Sequence, residues 1–212
     1  MFDGYLFDLD GVLVDVSDAY KHEIFAEVED ELERSFTDDQ IRNLWHGLGA
    51  ESRDDILRSW GIDEPRRFWE VFDALDTPER RIEHTYAYED ADVVADIDAP
   101  TGVVTHSPYE LAEPALERAG LDGHVDALVS CSYELGWKPD PAPIEKCARE
   151  AGAPLGEETV LIGDSASDVR GAWNAGIAAG HVDRVGHRVD ADHNLDGLHE
   201  VRDWVANGDG RG

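Results

Sequence analysis

The chain has 212 residues, of which 48 are acidic and 18 are basic, and its formal net charge is −30. This balance argues against nucleic acid as a partner, because phosphate backbones are bound by clustered Lys and Arg, and no apolar run approaches the roughly 18 residues that would span a membrane. The apolar content of 42% is sufficient for a packed core, so we expect a globular, cytoplasmic protein.

The first predicted element is a buried strand at residues 4–9, and a turn at Gly11 ends it. Residues 16–90, called the helical insertion below, show helical patterns and few strand signals. Each of its five predicted helices follows a residue type that caps helix N-termini. These residues are Ser17, Thr37, Ser52, Asp63 and Thr77. Aromatic residues in and beside these segments indicate a helical-bundle core.

From Thr101 onward, short β-strands alternate with helices. Strands are predicted at residues 102–105, 125–130, 159–162 and 177–181, and helices at 109–119, 142–150, 166–175 and 196–206. This alternation is typical of a parallel sheet that helices cover on both faces. We therefore predict an α/β fold with a Rossmann-like parallel-sheet core, formed by residues 1–15 and 91–212. The helical insertion at residues 16–90 interrupts this core after its first strand.

Polar residues follow the predicted strands at the points where ligands bind to open parallel sheets. They are Asp8 and Asp10 at the end of the first strand, Thr105 and His106 at the end of the second, Lys138 in the loop after the third, and Asp164 and Asp168 at the end of the fourth. The Asp-x-Asp spacing indicates nothing by itself, because four such pairs occur among 28 Asp residues, about the number that chance supplies. The apolar strand before Asp8 makes this pair distinctive.

Lysine is scarce in this chain, which has three Lys and 15 Arg. Lys138 is therefore more informative than any single Asp, and the Pro-started helix that follows it can fix the ammonium near the strand ends. The alternative is a solvated loop lysine. Few Lys and many acids are also typical of proteins from cells with molar salt, where charges are screened over about 3 Å. A highly charged protein adapted to ordinary salt is the other interpretation.

In order and spacing, these residues resemble the haloacid dehalogenase (HAD) superfamily of phosphohydrolases. Its signatures are a DxDGVL segment, a strand ending in Thr or Ser, a Lys followed by Pro-x-Pro, and a GDSxxD segment. The matches are Asp8 and Asp10, Thr105, Lys138, and Asp164 with Asp168. The resemblance extends over nearly the whole chain, and the helical insertion lies where this superfamily has its helical, C1-type cap.

The resemblance implies a phosphatase that acts on a small phosphorylated metabolite, broadly like phosphoglycolate phosphatases. Asp8 would attack phosphorus and form an aspartyl-phosphate. Asp10 would protonate the leaving oxygen and then activate water. Thr105 and Lys138 would bind the phosphoryl oxygens. His106 stands where relatives often have Asn or Ser, so it is either a phosphate-binding or substrate-contacting residue or an incidental loop histidine.

The resemblance also implies a Mg²⁺ ion, because clustered carboxylates repel one another and a phosphate dianion. Its expected ligands are the carboxylates of Asp8 and Asp164 and the backbone carbonyl of Asp10. Asp168 would lie just outside these ligands or hold a metal-bound water. For substrate selection, we predict the cap stretch HGLG at residues 46–49, with Gly47 in it, and the nearby Arg53.

Other interpretations remain open for several of these residues. Asp8 and Asp10 are surface acids in the alternative reading, Thr105 is the N-cap of the next helix, and Asp168 is a first-turn helix acid. We interpret Asp15 as background acidity. At the level of function, the alternatives are a phosphomutase of the same superfamily and a catalytically silent acidic binding module. We expect a monomer or a homodimer.

Overall fold

The computed structural model describes residues 2–48 and 52–206. Its strands are β1 (Gly4–Phe7), β2 (Val14–Val16), β3 (Thr85–Ala87), β4 (Thr101–Thr105), β5 (Ala127–Ser130), β6 (Thr159–Gly163), β7 (Ala178–Val182) and β8 (His193–Leu195). Six of them form one sheet in the order β5-β4-β1-β6-β7-β8, and every neighbouring pair in it is parallel. The predicted Rossmann-like parallel sheet is therefore confirmed, with β1 between β4 and β6.

The helices account for most of the remaining chain. They are α1 (Asp18–Leu32), α2 (Asp38–His46), α3 (Arg53–Ser59), α4 (Pro65–Leu75), α5 (Pro78–His84), α6 (Tyr109–Ala119), α7 (Ala142–Ala151), α8 (Ala166–Asn174) and α9 (Val201–Ala206). Short 3₁₀ turns lie at Ala91–Asp96, Asp122–His124 and Leu198–Glu200. Among the helices within the described ranges, none is long and apolar enough to cross a membrane.

The two faces of the sheet carry separate apolar cores, because successive side chains of a strand point to opposite faces. Tyr5 and Phe7 of β1 belong to the core cluster that also contains Leu116 of α6. Leu6, between them in the chain, belongs to the cluster with Ile144 and Cys147 of α7. A strand that is buried on both faces reads as a continuous apolar run, which is why β1 was recognisable in the sequence.

Helix starts in the helical insertion largely follow the predicted caps. The side chains of Ser17, Thr37 and Ser52 each accept a hydrogen bond from a backbone N–H in the first turn. Such caps stabilise a helix by about 0.5–2 kcal/mol each. Asp63 is not the cap of α4, which begins at Pro65, because the fixed φ of proline suits the first helical position.

The helices of the insertion surround an aromatic core of their own, as the sequence predicted. Phe25 and Phe68 are fully buried, and Phe36 and Phe72 pack against them. The Phe25 and Phe36 rings meet edge to face with their centroids 5.5 Å apart, a favoured aromatic geometry. Burying each Phe side chain contributes about 1.5–3 kcal/mol. The insertion is therefore held together by contacts within it as well as by its connections to the sheet.

A two-stranded antiparallel ribbon connects the helical insertion to the sheet. In it, β2 pairs with β3, and Val14 lies opposite Ala87. The sequence analysis did not predict this ribbon or β8, since segments of three residues are too short to show a strand period. The ribbon brings both ends of the insertion to the carboxyl end of β1. Residues from α2 and α5 thereby come close to the residues that follow β1.

Candidate active site

The carboxyl ends of three adjacent strands place the predicted site residues together. β1 pairs with β4 on one side and with β6 on the other, so Asp8, Thr105 and Asp164 lie at one edge of the sheet. The backbone N–H of Asp8 donates to the carbonyl of Ile162 at 2.9 Å and extends the ladder by one residue. This pairing fixes the position of the Asp8 side chain relative to β6.

Lys138 is buried at the centre of the site, with 4% of its surface exposed. Its Nζ lies 2.8 Å from Asp8 Oδ1 and 2.6 Å from Asp168 Oδ1, and it donates to the carbonyl of Val104 at 2.9 Å. Burial disfavours the ammonium, but Asp168 and Asp8 outweigh it and raise the pKa of Lys138. The solvated-lysine interpretation is therefore wrong, and Lys138 is a permanent positive charge beside Asp8.

The carboxyl group of Asp8 lies in an environment that opposes its ionisation. Burial raises its pKa above the usual value, Lys138 acts in the opposite direction, and the neighbouring carboxylates Asp168 and Asp164 raise it further. The single positive charge of Lys138 therefore does not neutralise the negative charges of the three carboxylates. A bound cation would favour the ionised Asp8 that a nucleophile requires.

Three carboxylates meet beside Lys138. Oxygens of Asp8, Asp164 and Asp168 all lie within 4.8 Å of one another. Asp164 Oδ2 is buried and accepts no hydrogen bond from the described residues. A Cβ on Gly11 would lie 2.0 Å from that oxygen, so only glycine leaves the space around it open. A buried carboxylate oxygen without a hydrogen-bond partner lowers the stability of the folded protein. Carboxylate oxygens are also the ligands that Mg²⁺ prefers.

Asp168 has partners on both of its oxygens, hydrogen bonds on Oδ2 and an ion pair on Oδ1. Oδ2 accepts hydrogen bonds from the backbone N–H of Ser165 at 3.1 Å and from its hydroxyl at 2.5 Å. The first of these belongs to a capping box at the start of α8. Oδ1 pairs with Lys138. The helix-acid interpretation therefore holds for one oxygen, while the other contributes to the site by orienting Lys138.

The side chain of Asp10 points away from the carboxylate cluster. Its Oδ1 lies 2.5 Å from Nη2 of Arg81, and its Oδ2 accepts a hydrogen bond from the Ser107 hydroxyl at 2.6 Å. Burial would raise the pKa of Asp10, but Arg81 and Ser107 outweigh burial and lower it. This arrangement separates the two acids of the DLD segment. Asp8 faces Lys138, and Asp10 is held as a carboxylate by Arg81.

Arg81 and Ser107 were not predicted as site residues. Arg81 belongs to α5 and is 8% exposed. Its second contact is Asp76 Oδ2 at 2.6 Å, and the Tyr20 hydroxyl donates to the other oxygen of Asp76 at 2.8 Å. A sequence signal existed for Ser107, which lies two residues after Thr105. No comparable signal exists for Arg81, because its contact with Asp10 joins residues 71 positions apart.

Thr105 and His106 end β4 inside the site. The Thr105 hydroxyl accepts a hydrogen bond from the backbone N–H of Ser107 at 3.0 Å. The N-cap interpretation of Thr105 is wrong, since α6 has Pro108 at that position. Nε2 of His106 is buried without a hydrogen-bond partner among the described residues. Burial, Lys138 and Arg53 keep the pKa of His106 well below its usual value, so the ring is neutral near pH 7.

The two residues predicted for substrate selection lie together in the helical insertion. Gly47 ends α2 with a φ of +61°, and a Cβ there would lie 3.4 Å from Arg53 Nε. Arg53 Nη2 also donates to the carbonyl of Trp45 at 3.0 Å. The positive charge of Arg53 also helps to lower the pKa of Asp10, after the larger effects of Arg81 and Ser107. Gly49, also in the predicted stretch, lies outside the described residues.

Comparisons with known proteins show the family of the chain. The model of the haloacid dehalogenase-like hydrolase family matches residues 2–176. The chain is 37% identical over 75 residues to pyrophosphatase PpaX of Halalkalibacterium halodurans, covering 35% of this chain and 34% of that protein. It is 28% identical over 139 residues to phosphoglycolate phosphatase of Chromobacterium violaceum, covering 61% of each.

A solved structure from Lactobacillus plantarum has a TM-score of 0.78 to this chain at 18% identity, covering 96% of this chain and 99% of that one. This likeness extends through the sheet and the helical insertion and supports the fold. The chain spans about a third of the length of the PpaX protein and about three fifths of the Chromobacterium one. Since the family model matches most of the sequence, the chain belongs to the haloacid dehalogenase-like hydrolase family.

Proposed function

We propose that this protein is a Mg²⁺-dependent phosphatase that hydrolyses a small phosphomonoester through an aspartyl-phosphate. The observation that supports this most is the placement of Asp8 between the Lys138 ammonium and the unpartnered oxygen of Asp164. The names of the matched relatives, a phosphoglycolate phosphatase and a pyrophosphatase, support phosphate chemistry. A phosphoryl group is recognised by this combination of positive charge and metal-binding carboxylates.

In the first step, a carboxylate oxygen of Asp8 forms a bond to phosphorus while the bond from phosphorus to the ester oxygen breaks. Asp10 is a carboxylate in the free protein, so it first takes a proton from the monoanion of the incoming phosphomonoester and then gives it to that leaving oxygen. In the second step, water attacks the phosphorus, the proton of the water goes to Asp10, and the carboxylate of Asp8 is released. Lys138 and the Thr105 hydroxyl bind the phosphoryl oxygens. The residues of both steps lie at the ends of β1 and β4 and in the loop between β5 and α7.

The residues present fit a divalent cation. Asp8 and Asp164 would hold it through their carboxylates and Asp10 through its backbone carbonyl, while Asp168 stays bound to Lys138 and Ser165. When bound, Mg²⁺ offsets the charge of the clustered carboxylates and of the phosphate. The buried oxygen of Asp164 and the open space that Gly11 leaves beside it are the features on which this assignment rests.

The helical insertion acts as a cap in this proposal. It would close over the strand ends, exclude water and select the leaving group through Gly47 and Arg53. Arg53 is the residue of this pair that suits an anionic substrate, since a guanidinium pairs with carboxylate or phosphate oxygens. The division into a core at residues 1–15 and 91–212 and a cap at residues 16–90 belongs to the same proposal.

The direct test is a screen of small phosphomonoesters, phosphoglycolate included, in low and in molar KCl. We expect release of free phosphate with Mg²⁺, its loss in EDTA, and its recovery when Mg²⁺ is added back. Equal rates in EDTA would contradict the metal assignment. Phosphoryl transfer between two sugar positions without free phosphate would indicate a phosphomutase, and no reaction with any ester would indicate an acidic binding module. Unchanged substrate preference in Arg53→Ala would contradict the role given to Arg53.

Replacing Arg81 is expected to change the pH profile of the reaction. Arg81 lowers the pKa of Asp10, so Arg81→Gln should raise it, because the guanidinium that favours the ionised carboxylate is removed. Because the water-activating step needs Asp10 as a carboxylate, the acidic limb of kcat should move to higher pH. Arg80→Gln is the matched control, since Arg80 pairs with Glu23 and Glu27 and not with the site. Identical profiles for the two variants would contradict the role given to Arg81.

A further inference from the structure

A second buried lysine lies behind the proposed metal site. Of the three lysines in the chain, Lys21 on α1 and Lys138 are buried, at 5% and 4% exposure. Lys21 Nζ lies 3.0 Å from Asp15 Oδ2. The interpretation of Asp15 as background acidity is wrong, because it is 3% exposed and paired with this ammonium. The proposed mechanism uses neither residue.

Lys21 Nζ has two hydrogen-bond partners and a third, more distant ion-pair partner. A lysine ammonium has three N–H donors and no acceptor. Three acceptors surround Nζ: Asp15 Oδ2 at 3.0 Å, Asp18 Oδ1 at 3.4 Å and His46 Nε2 at 3.2 Å. The Tyr88 hydroxyl also donates to Asp15 Oδ2, at 3.1 Å, which helps to hold Asp15 in place. The position of the ammonium is therefore set from three sides.

This arrangement determines which nitrogen of His46 carries the proton. Nε2 lies 3.2 Å from an ammonium that can only donate and 4.0 Å from Asp15 Oδ2, so the nearer contact requires Nε2 as an acceptor without a hydrogen. A neutral imidazole has one protonated and one unprotonated nitrogen, so the hydrogen lies on Nδ1. The tautomer of a histidine is commonly set in this way by the partner of its other nitrogen.

The protonated Nδ1 of His46 faces the proposed metal ligand. It lies 3.7 Å from Asp164 Oδ2, the buried oxygen that has no hydrogen-bond partner among the described residues. A Cβ added to Gly11 would lie 3.5 Å from Nδ1 of His46 and 2.0 Å from Oδ2 of Asp164. A series of contacts therefore leads from Asp15 through Lys21 and His46 to Asp164. It begins at β2, passes through α1 and α2, and ends after β6.

We propose that Lys21 and His46 are positioning residues for Asp164. Lys21 fixes His46 with its N–H directed at the carboxylate, and from 3.7 Å this N–H attracts the carboxylate electrostatically and favours the orientation that a divalent cation requires. Outer residues of this kind commonly orient metal ligands. The inference rests on the proposed function for the role of Asp164 as a ligand. It also makes the helical insertion contribute to metal affinity, since Lys21 and His46 both belong to it.

The tautomer can be tested in the metal-free wild-type protein without any measurement of activity. Long-range proton–nitrogen correlation spectra of ¹⁵N-labelled protein distinguish protonated from unprotonated ring nitrogens, and the signal that disappears in His46→Asn identifies His46. We expect a protonated Nδ1 and an unprotonated Nε2. A hydrogen on Nε2, alone or together with Nδ1, would overturn the inference. This measurement remains decisive if Lys21→Met does not fold.

Metal affinity gives the second test, by calorimetric titration of Mg²⁺ into the metal-free protein. The two variants place an amide group at different positions. The amide of Gln in His46→Gln lies near the position of Nε2, whereas the amide of Asn in His46→Asn lies near that of Nδ1 and can supply the N–H donor there. We therefore expect Mg²⁺ affinity to fall about 10–100-fold in His46→Gln and in Lys21→Met, and to be largely retained in His46→Asn. Lys146→Met is the control, since Lys146 pairs with Glu150 on the surface of α7.

Equal affinities in the Gln and Asn variants would overturn the positioning role. So would wild-type Mg²⁺ affinity in both variants combined with a raised KM, which would make His46 a substrate contact instead. If the wild-type protein bound no Mg²⁺, the proposed function would fail in its metal assignment. The tautomer spectrum would still decide whether Lys21 orients His46.

Discussion

Asp8→Asn is expected to lower the rate of phosphate release by at least about 10⁴-fold, a loss typical of removing a catalytic nucleophile. The amide has nearly the shape of the carboxylate but no nucleophilic oxygen. It also reduces the surplus of negative charge around Lys138, so the variant should fold. The measurement is steady-state phosphate release with Mg²⁺ at the salt concentration that gives the wild-type protein its highest rate.

The matched control for this variant is Asp98→Asn. Asp98 is exposed and belongs to another Asp-x-Asp pair of the chain. The control therefore makes the same Asp-to-Asn change in an Asp-x-Asp pair that lies outside the site. We expect its rate to equal that of the wild-type protein. Full activity in Asp8→Asn would exclude Asp8 as the nucleophile. An equal loss in both variants would show that the effect is not specific to the site.

Lys138→Met is expected to lower the free energy of unfolding by about 3–5 kcal/mol, the usual cost of removing one partner from a buried ion pair. The methionine fills part of the volume but leaves Asp8 and Asp168 facing each other without a positive charge. Urea denaturation of the metal-free protein, followed by fluorescence, measures this change. Lys146→Met should change the free energy by about 0–1 kcal/mol, since its pair is exposed.

A second variant separates charge from packing in this prediction. In Lys138→Met combined with Asp168→Asn, one of the two carboxylates that lost their positive partner becomes neutral. Part of the decrease in the free energy of unfolding should therefore be recovered. An unchanged loss in the double variant would indicate that packing around the lysine stem, and not its charge, stabilises the site. A Lys138→Met protein as stable as the wild type would contradict the buried ion-pair arrangement itself.

The sheet and the strand-end residues were predictable because their signals are local. An apolar run followed by polar residues marks the ends of β1 and β6, and the parallel topology brings Asp8 and Asp164 together without any knowledge of side-chain contacts. Lys138 was predictable because lysine is rare in this chain. Its burial between Asp8 and Asp168 was not, since the sequence does not show which side chains the loop turns inward.

The contribution of the helical insertion could not be predicted from local patterns. Arg81 and His46 reach the site because α5 and α2 lie over the carboxyl ends of the strands, and this depends on contacts between distant parts of the chain. The pairing of Arg81 with Asp10 joins residues 71 positions apart. In an amphipathic helix, a buried charged residue looks like any other polar position until its partner is known.

The most direct test of the proposed mechanism is to find the phosphoryl group on the enzyme. The protein is mixed with a small phosphomonoester that it hydrolyses and Mg²⁺, quenched in acid within one turnover, and analysed by mass spectrometry of its peptides. The mechanism predicts one phosphoryl group on Asp8, present in the wild-type protein and absent from Asp8→Asn. Phosphate release without any phosphorylated peptide, or a phosphoryl group on another residue, would contradict it.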